Sequence, residues 1–229
     1  MSARVLLVAE GPSELGHESL WSKPRRKRAV REGYFQPMIR RLIDSDALID
    51  AQRIVNLPPT PKRLAGHADR AAAALVLAST QGYDVLVYVK DVDRSGGTKA
   101  GAVERRKKLA LVAREIRKGL QSVPDATTRA IQATPCRMLE CWALADANAL
   151  AELASKEGDP TSVPKTPEDS WGHDADPTSN HPKCALKRVL GRDAGSDDFA
   201  TLAESSDLEV VRERCPDSFV PFHDEARSR

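Results

Sequence analysis

The sequence has few cysteines and no long apolar run, and these two absences exclude several classes of protein. Only four of the 229 residues are cysteine, which excludes a disulfide-stapled fold and favours a reducing compartment. No apolar run approaches the ~18 residues of a membrane span. The N-terminal segment lacks the basic and then apolar pattern of a signal peptide. We therefore expect a cytoplasmic protein without a membrane partner.

The sequence also lacks a phosphate-binding loop and internal repeats. No Gly-x4-Gly-Lys-Ser/Thr motif occurs, which argues against a P-loop NTPase. Hydrophobic residues make up 41% of the chain, an ordinary content for a globular protein that argues against disorder of the whole chain. A chain of this length can bury a core without disulfides, and one domain with additions is the default expectation.

The net charge is only +2, but the charges are distributed unevenly. One basic run has six cations in nine residues: Lys23, Arg25, Arg26, Lys27, Arg28 and Arg31. A second run covers residues 105–108, whereas the last 34 residues contain nine acidic residues and four arginines. This asymmetry indicates an anionic partner for the basic half of the chain, with solvated charged loops as the alternative.

Apolar runs and helical stripes alternate along most of the chain. Strands are predicted at residues 3–9, 54–57, 83–90 and 127–134, and a long loop is predicted at 12–33. Helices are predicted at residues 35–47, 62–80, 100–121, 138–154, 183–190 and 198–214. This alternation is typical of an α/β fold, Rossmann-like, with a mainly parallel four-stranded sheet flanked by helices.

Proline content suggests how the chain is divided. Residues 1–155 are predicted to form the main α/β domain, and the Pro-rich residues 156–182 a long loop or disordered insert. Residues 183–229 are predicted to form a helical C-terminal extension packed on the same domain. In that extension, Phe219, Val220 and Phe222 are apolar residues in an acidic segment, and we expect them to pack back onto the domain.

Acidic residues follow two of the predicted strands. Glu10 ends the first strand, and Asp91 and Asp93 follow the strand at 83–90. In parallel α/β sheets, functional groups lie beyond the carboxyl ends of the strands. Crowded carboxylates are tolerated when a divalent cation lies between them, and oxygen ligands without His or Cys favour Mg²⁺ or Mn²⁺. The pattern predicts a metal site suited to phosphodiester chemistry, with a plain polar turn as the alternative.

Two segments carry a resemblance to a known family. Residues 5–11 (Val-Leu-Leu-Val-Ala-Glu-Gly) and 85–94 (Val-Leu-Val-Tyr-Val-Lys-Asp-Val-Asp-Arg) resemble a Toprim domain, the catalytic module of topoisomerases, bacterial primases and OLD-type nucleases. By this resemblance, Glu10 is the general acid/base, and Asp91 and Asp93 hold the metal. Glu14 is similar to the second acidic residue of the Glu-Gly-x-Thr/Ser-Glu variant found in OLD-like proteins.

A narrower likeness covers more of the chain. Residues 138–146 (Met-Leu-Glu-Cys-Trp-Ala-Leu-Ala-Asp), 181–183 and 215–222 resemble segments of an uncharacterised bacterial family of small standalone Toprim-like proteins. Glu140 lies in the first of these segments, on a predicted helix after the fourth strand. Its carboxylate either reaches the metal or is there because the helix dipole favours it.

The resemblance implies a Mg²⁺-dependent (or Mn²⁺-dependent) nuclease or related phosphotransferase that acts on DNA or RNA, in defence against phage or mobile elements. Arg94 and Lys183 join the basic run at 23–31 as candidate contacts to the nucleic-acid backbone. A partner ATPase subunit is a further expectation. The alternative is a non-catalytic module that binds metal and phosphate, or that binds a partner in a two-protein system.

A zinc site is a weaker alternative for the chain's other metal-binding side chains. The candidates are Cys136, Cys141, His181 and Cys184. The spacing between the first two is looser than the usual two-residue knuckle, and Cys141 falls in an apolar helical stripe. Buried or surface thiols are therefore the favoured interpretation.

Overall fold

The computed structural model describes residues 2–16, 32–59, 64–92 and 102–228. It confirms the predicted α/β fold, because four strands form one parallel sheet with helices on both faces. The strands are β1 (Arg4–Ala9), β2 (Leu48–Arg53), β3 (Val85–Val89) and β4 (Arg129–Ala133). Their order in the sheet is β2-β1-β3-β4, so β1 and β3 are the two central strands of a Rossmann-like arrangement.

The helices of the first part of the described chain are α1 (Pro12–Leu15), α2 (Phe35–Leu42), α3 (Gly66–Thr80), α4 (Ala102–Gln121), α5 (Glu140–Ala143) and α6 (Ala147–Leu153). Those of the last part are α7 (Pro182–Leu190), α8 (Ser196–Ser205), α9 (Leu208–Arg214) and α10 (Phe219–Arg227). Short 3₁₀ turns cover Ile54–Asn56, Pro160–Ser162 and Pro167–Asp169. Within these described ranges, no helix has both the length and the apolar character needed to cross a membrane.

The sheet separates two apolar cores, because successive side chains of a strand point to opposite faces. Leu7 and Val87 belong to the core that contains α2, α5 and the C-terminal helices. Leu6 and Leu86 belong to the core beneath α3 and α4. Side chains of α7 to α10 share the first core with β1 and β3, so the sheet and the C-terminal helices are stabilised by one continuous set of contacts.

An aromatic cluster forms the centre of the first core. The ring of Trp142 lies 5.8 Å from Phe35, 5.1 Å from Phe219 and 5.5 Å from Phe222, measured between ring centroids. Its indole N–H donates to Ser218 Oγ over 2.7 Å. Both phenylalanines of α10 are fully buried, which confirms that they pack back onto the domain, and Val220 is half-buried.

The second strand lies earlier in the chain than the sequence predicted. The strand predicted at residues 54–57 is wrong: β2 covers Leu48–Arg53, and a 3₁₀ turn follows it. β2 is an edge strand whose side chains are mostly half-buried or exposed. Its residues therefore lack the continuous apolar run that marks the central strands.

Two predicted helices are each divided in the structure, and one helix at the C-terminal end is additional to the prediction. The helix predicted at 138–154 is two helices, because Asp146 caps α6 by accepting from the backbone N–H groups of Asn148 and Ala149. The helix predicted at 198–214 is also two, α8 and α9, and α10 was not predicted. In the predicted loop at 12–33, residues Pro12–Leu15 form α1, whereas residues 17–31 lie outside the described part of the chain.

Candidate functional site

The order of the strands places one edge of the sheet at a ligand-binding position. From β1 the chain passes to β2 on one side, and it later returns to β3 on the other side of β1. In open α/β sheets, ligands bind in the crevice beyond the carboxyl ends of the strands where the order reverses in this way. Glu10 directly follows β1 and Asp91 lies two residues after β3, so both border this crevice.

Glu14 is placed at the crevice by α1 and by the start of α2. Its Oε2 accepts a hydrogen bond from Gly11 N over 3.0 Å, and the residue is buried. Gly33 lies so close to α1 that a Cβ there would be 2.5 Å from the carbonyl carbon of Glu14, so only glycine fits. Gln36 adds a bond from its Nε2 to the carbonyl of Leu15 over 2.6 Å, which fixes α1 against α2.

Burial and neighbouring carboxylates raise the pKa of Glu14 to about 7. The largest cause is desolvation, and Glu140 and Glu10 add repulsion between like charges. Backbone hydrogen bonds, including that from Gly11, act in the opposite direction. Glu14 therefore lies near other acidic groups, and little solvent is present to screen the repulsion between their charges.

Asp91 is the second member of this group. Its Oδ1 is sealed from solvent and has no hydrogen-bond partner. Burial raises the pKa of Asp91 well above its usual range, and the charges of Glu14, Glu140 and Glu10 raise it further in that order. Lys90 partly opposes this effect. A buried carboxylate oxygen without a donor needs either a proton or a cation beside it.

Glu140 begins α5 and is buried. It raises the pKa of both Glu14 and Asp91, so its carboxylate lies near both of them. The sequence left two explanations for Glu140, a carboxylate that reaches the metal and a carboxylate favoured by the helix dipole. Its effect on the pKa of Glu14 and Asp91 places it near the acidic group, and the choice between the two explanations stays a prediction.

Glu10 differs from the buried Glu14 and Glu140 in being exposed, and it forms an ion pair with Lys90. Its Oε2 accepts a hydrogen bond from Lys90 Nζ over 2.7 Å, and the Glu10 side chain is 45% exposed. Sequence reasoning did not single out Lys90. The register of the sheet contains the signal, since Val8 pairs with Tyr88 and two residues further on the same register brings Glu10 opposite Lys90.

The remaining predicted site residues are not part of this group as described. Asp93, Arg94 and the basic run at 23–31 lie outside the described residues. Lys183 is exposed in the first turn of α7, and within the described chain no hydrogen bond or ion pair joins it to the carboxylates. The structure therefore brings together Glu14, Asp91 and Glu140, with Glu10 at their margin.

The donor atoms at this edge of the sheet are of the type that a hard divalent cation prefers. Carboxylate oxygens are the ligands of Mg²⁺ and Mn²⁺, and the unpartnered oxygen of Asp91 is buried beside two further carboxylates. Among the residues with described positions, no group of three or more His, Cys, Asp or Glu is arranged so that it could hold a metal ion. Asp93, a predicted ligand, lies outside those positions.

The alternative zinc ligands do not form a cluster within the described residues either. All four cysteines are buried free thiols. Cys136 donates to the carbonyl of Glu168, and Cys184 donates to the carbonyl of Asp174. Burial raises the pKa of Cys136 to about 12, which keeps it in the protonated form that does not bind metal.

Comparison of the chain with protein-family models, with curated proteins and with solved structures gave no match. The acidic group at the β1/β3 edge is therefore interpreted from its own chemistry.

Proposed function

We propose that this protein is a Mg²⁺-dependent or Mn²⁺-dependent nuclease, or a related phosphotransferase, that acts on the phosphodiesters of DNA or RNA. One observation carries the proposal: at the edge of the sheet where ligands bind in this architecture, Asp91 Oδ1 is sealed from solvent without a hydrogen-bond partner, and the charges of Glu14 and Glu140 raise the pKa of Asp91. The Toprim resemblance of residues 5–11 and 85–94 supports the same conclusion independently of the geometry.

A divalent cation explains why these carboxylates lie together. Their mutual repulsion and their burial destabilise the ionised forms, and a cation of charge +2 removes both costs. In this proposal Asp91 holds the ion together with Asp93, as the sequence predicts, and Glu14 and Glu140 are further candidate ligands. When bound, such an ion neutralises charge on a phosphodiester and makes a bound water more acidic.

Glu10 has the position and the exposure of a group that handles the substrate. It directly follows β1 at this edge of the sheet, and Lys90 donates a 2.7 Å hydrogen bond to its carboxylate. In the proposed reaction Glu10 positions the attacking water or moves its proton. Lys90, which is directly beside it, adds positive charge for an approaching phosphate.

The wider setting follows from the resemblance alone. We propose a cytoplasmic protein that acts in defence against phage or mobile elements, with an ATPase subunit as a candidate partner. The basic run at 23–31, Arg94 and Lys183 are the proposed contacts to the nucleic-acid backbone.

A cleavage assay with matched variants tests the proposal. Plasmid DNA and structured RNA are incubated with the protein and Mg²⁺ or Mn²⁺, and products are resolved by electrophoresis. Asp91→Asn is expected to lower cleavage by roughly a thousandfold, since charge stabilisation at a metal site is worth several kcal/mol. The control is Asp125→Asn, at an exposed turn, which should cleave like the wild type. Equal cleavage by both variants would contradict the assignment of the site.

The ion pair between Lys90 and Glu10 favours a second candidate function, a binding module without turnover. In that case the carboxylates bind the ion and a phosphate ligand, and the Glu10 carboxylate stays neutralised by Lys90. Mg²⁺ binding measured by calorimetry, with no cleavage of either nucleic acid, would select this candidate. Failure of Mg²⁺ and Mn²⁺ to bind at millimolar concentration would remove both.

A further inference from the structure

One large aromatic side chain of the described chain, Trp171, is left at the surface by the fold. It is 48% exposed, whereas Trp142 and the other aromatic residues with described positions are buried. Within the described residues its indole makes no ring contact and no hydrogen bond. Tryptophan is enriched at binding surfaces, so this ring is a candidate contact to a ligand. It ends residues 168–171, here called the Trp171 segment.

The backbone that precedes Trp171 is fixed by two arginines from different elements. Arg137, between β4 and α5, donates from Nη1 to the carbonyl of Ser170 over 2.7 Å. Arg105 of α4 donates from Nη2 to Asp169 Oδ1 over 3.0 Å. Ser170 itself is buried. The ring of Trp171 is therefore presented to solvent from a held position, which lowers the cost of ordering it when a ligand binds.

Arg137 achieves this contact from a strained turn. Met138 N donates to the carbonyl of Cys136 over 2.9 Å, and the φ of Arg137 is +65°. Among the described residues it is the only one other than glycine with a positive φ. A three-residue turn of this kind is rare and strained, and strained residues cluster at functional sites. The chain reaches Glu140 three residues later, so this turn joins the Trp171 segment to the acidic group.

A backbone hydrogen bond places the same turn beside the end of β3. Val92, which follows Asp91, donates from its N–H to the carbonyl of Pro135 over 3.2 Å. Two residues after Pro135, Arg137 holds the Trp171 segment. Trp171 therefore belongs to the carboxyl edge of the sheet, where the proposed metal site lies.

The second basic run of the sequence contributes a cation next to this segment. Arg106 of α4 is 54% exposed and pairs with Asp217. Asp217 raises the pKa of the Arg106 guanidinium, and Asp169 and Glu168 raise it further, so the guanidinium lies near the Trp171 segment. Ion pairs in contact with water contribute little, so a phosphate can compete with Asp217 for Arg106.

We infer that Trp171 is a stacking platform for an unpaired base of single-stranded nucleic acid, with Arg106 contacting the phosphate backbone. The inference rests on the proposed function and names its substrate class. Sites for single strands combine exposed rings with cations, because every base has a flat π face and every nucleotide a negative charge. A base inside a duplex has both faces covered by neighbouring base pairs, so an exposed indole favours single strands over duplexes.

Binding of a single strand of about 12 nucleotides, measured by fluorescence anisotropy in EDTA, tests the inference. Trp171→Leu should weaken binding by roughly tenfold, a typical value for one stacked base. Trp171→Phe should keep most of the affinity, because a ring remains. Leu48→Ala, at an exposed side chain on the opposite edge of the sheet, is the matched control and should bind like the wild type. Equal affinity of the wild type and Trp171→Leu would overturn the inference.

An abasic strand of the same length separates stacking from charge, because it keeps the phosphates and has no bases. It should bind the wild type roughly tenfold more weakly than the intact strand, with no further loss in Trp171→Leu. Trp171→Leu should also leave the affinity for a duplex of the same sequence unchanged. Equal binding of intact and abasic strands, or an equal loss of duplex binding, would contradict an unpaired base on the ring.

Tryptophan emission reports on the ring directly. The single strand should quench the emission of the wild type, and Trp171→Phe should lose that quenching while it still binds. Unchanged quenching in Trp171→Phe would place the base elsewhere and overturn the inference. Thermal unfolding of Trp171→Leu at the wild-type temperature is expected, since the ring is half exposed.

Asp91→Asn separates this inference from the proposed function. In EDTA this variant should bind the strand at least as tightly as the wild type, since it removes only a negative charge near the phosphates. A failed cleavage assay therefore leaves the binding result intact, and the reverse also holds. Absence of strand binding by the wild type would overturn the stacking site, and a dimer lost in Trp171→Leu would then identify a second copy as the occupant.

Discussion

The acidic edge, which comprises Glu10, Glu14, Asp91 and Glu140, and the aromatic cluster around Trp142 contribute to stability in opposite ways. One short helix, α5, contributes a residue to each. Glu140 and Trp142 are two residues apart in α5. Trp142 lies among rings that each gain from burial, and its N–H is satisfied by Ser218. Glu140 lies among carboxylates that repel one another. The favourable packing of the aromatic rings therefore stabilises a fold in which the carboxylates stay close together despite their repulsion.

Removing the centre of the aromatic cluster should have the largest effect. Trp142→Ala is expected to lower the free energy of unfolding by about 3–5 kcal/mol, because it leaves a large cavity and removes the hydrogen bond that Ser218 Oγ accepts. Urea unfolding followed by circular dichroism measures this loss. Trp171→Ala, at a side chain that is 48% exposed, is the control and should change stability little. Similar losses in the two variants would show that the cluster is not the stabilising region.

The acidic edge should make the metal-free protein less stable as the pH rises. Glu14 has a pKa of about 7 in the folded protein against an ordinary value of 4.5, so the folded state binds more protons between these values. Stability is therefore highest below pH 4.5 for this group and falls as the pH rises through about 7. The loss amounts to about 3 kcal/mol, at about 1.4 kcal/mol for each pKa unit.

Urea unfolding in EDTA across this pH range measures the loss. Glu14→Gln should flatten the profile, because the amide does not titrate, whereas Glu157→Gln, at an exposed site, should not. A wild-type profile that rises between pH 5 and 7 would show that the carboxylates are stabilised as ions without metal.

Adding the proposed metal ion should restore the stability that the metal-free protein loses as the pH rises. At a Mg²⁺ concentration of 100 times its dissociation constant, binding to the folded state alone adds about 2.7 kcal/mol of stability. Glu140→Gln should reduce the gain while Trp171→Ala should keep it, as measured by thermal unfolding at constant ionic strength. An equal gain in the Glu140 variant would place the ion elsewhere.

The smallest expected effect concerns the residue that separates α5 from α6. Asp146 accepts from the N–H groups of Asn148 and Ala149 and, through Oδ2, from Asp207 N over 2.8 Å. Asp146→Ala should cost about 1–2 kcal/mol, as for a helix N-cap. Asp159→Ala, at an exposed cap of a 3₁₀ turn, should cost less, and the reverse order would contradict the importance of this cap.

The central sheet and the approach of Glu10 and Asp91 could be predicted from the sequence. Both central strands are continuous apolar runs, and parallel strands bring their carboxyl ends to one edge. The edge strand β2 could not be predicted in the same way. Its side chains are partly exposed to solvent, so polar residues such as Asp50 and Arg53 interrupt the apolar run. The break between α5 and α6 could not be predicted, because Asp146 is recognised as the N-cap of α6 only when its backbone partners are known.

The candidate site was predictable in its members but not in its arrangement. Glu14 and Glu140 entered through a resemblance, and only the structure shows that they are buried beside Asp91. The Lys90–Glu10 pair depends on the register between two strands that are distant in sequence. Neither distance along the chain nor composition carries that information.

The helix α10 closes the outer edge of the sheet, and this has a consequence for the order of folding. Glu225 accepts the backbone N–H of Gln132, and Arg129 donates to the carbonyls of Glu225 and Ala226. An intermediate without α10 would present β4 as an open template for another strand. We expect the docking of α10 onto β4 to be the folding step that protects the chain from aggregation. Pulse-labelled hydrogen exchange should show the backbone amide of Gln132 protected no earlier than the backbone amides of α10.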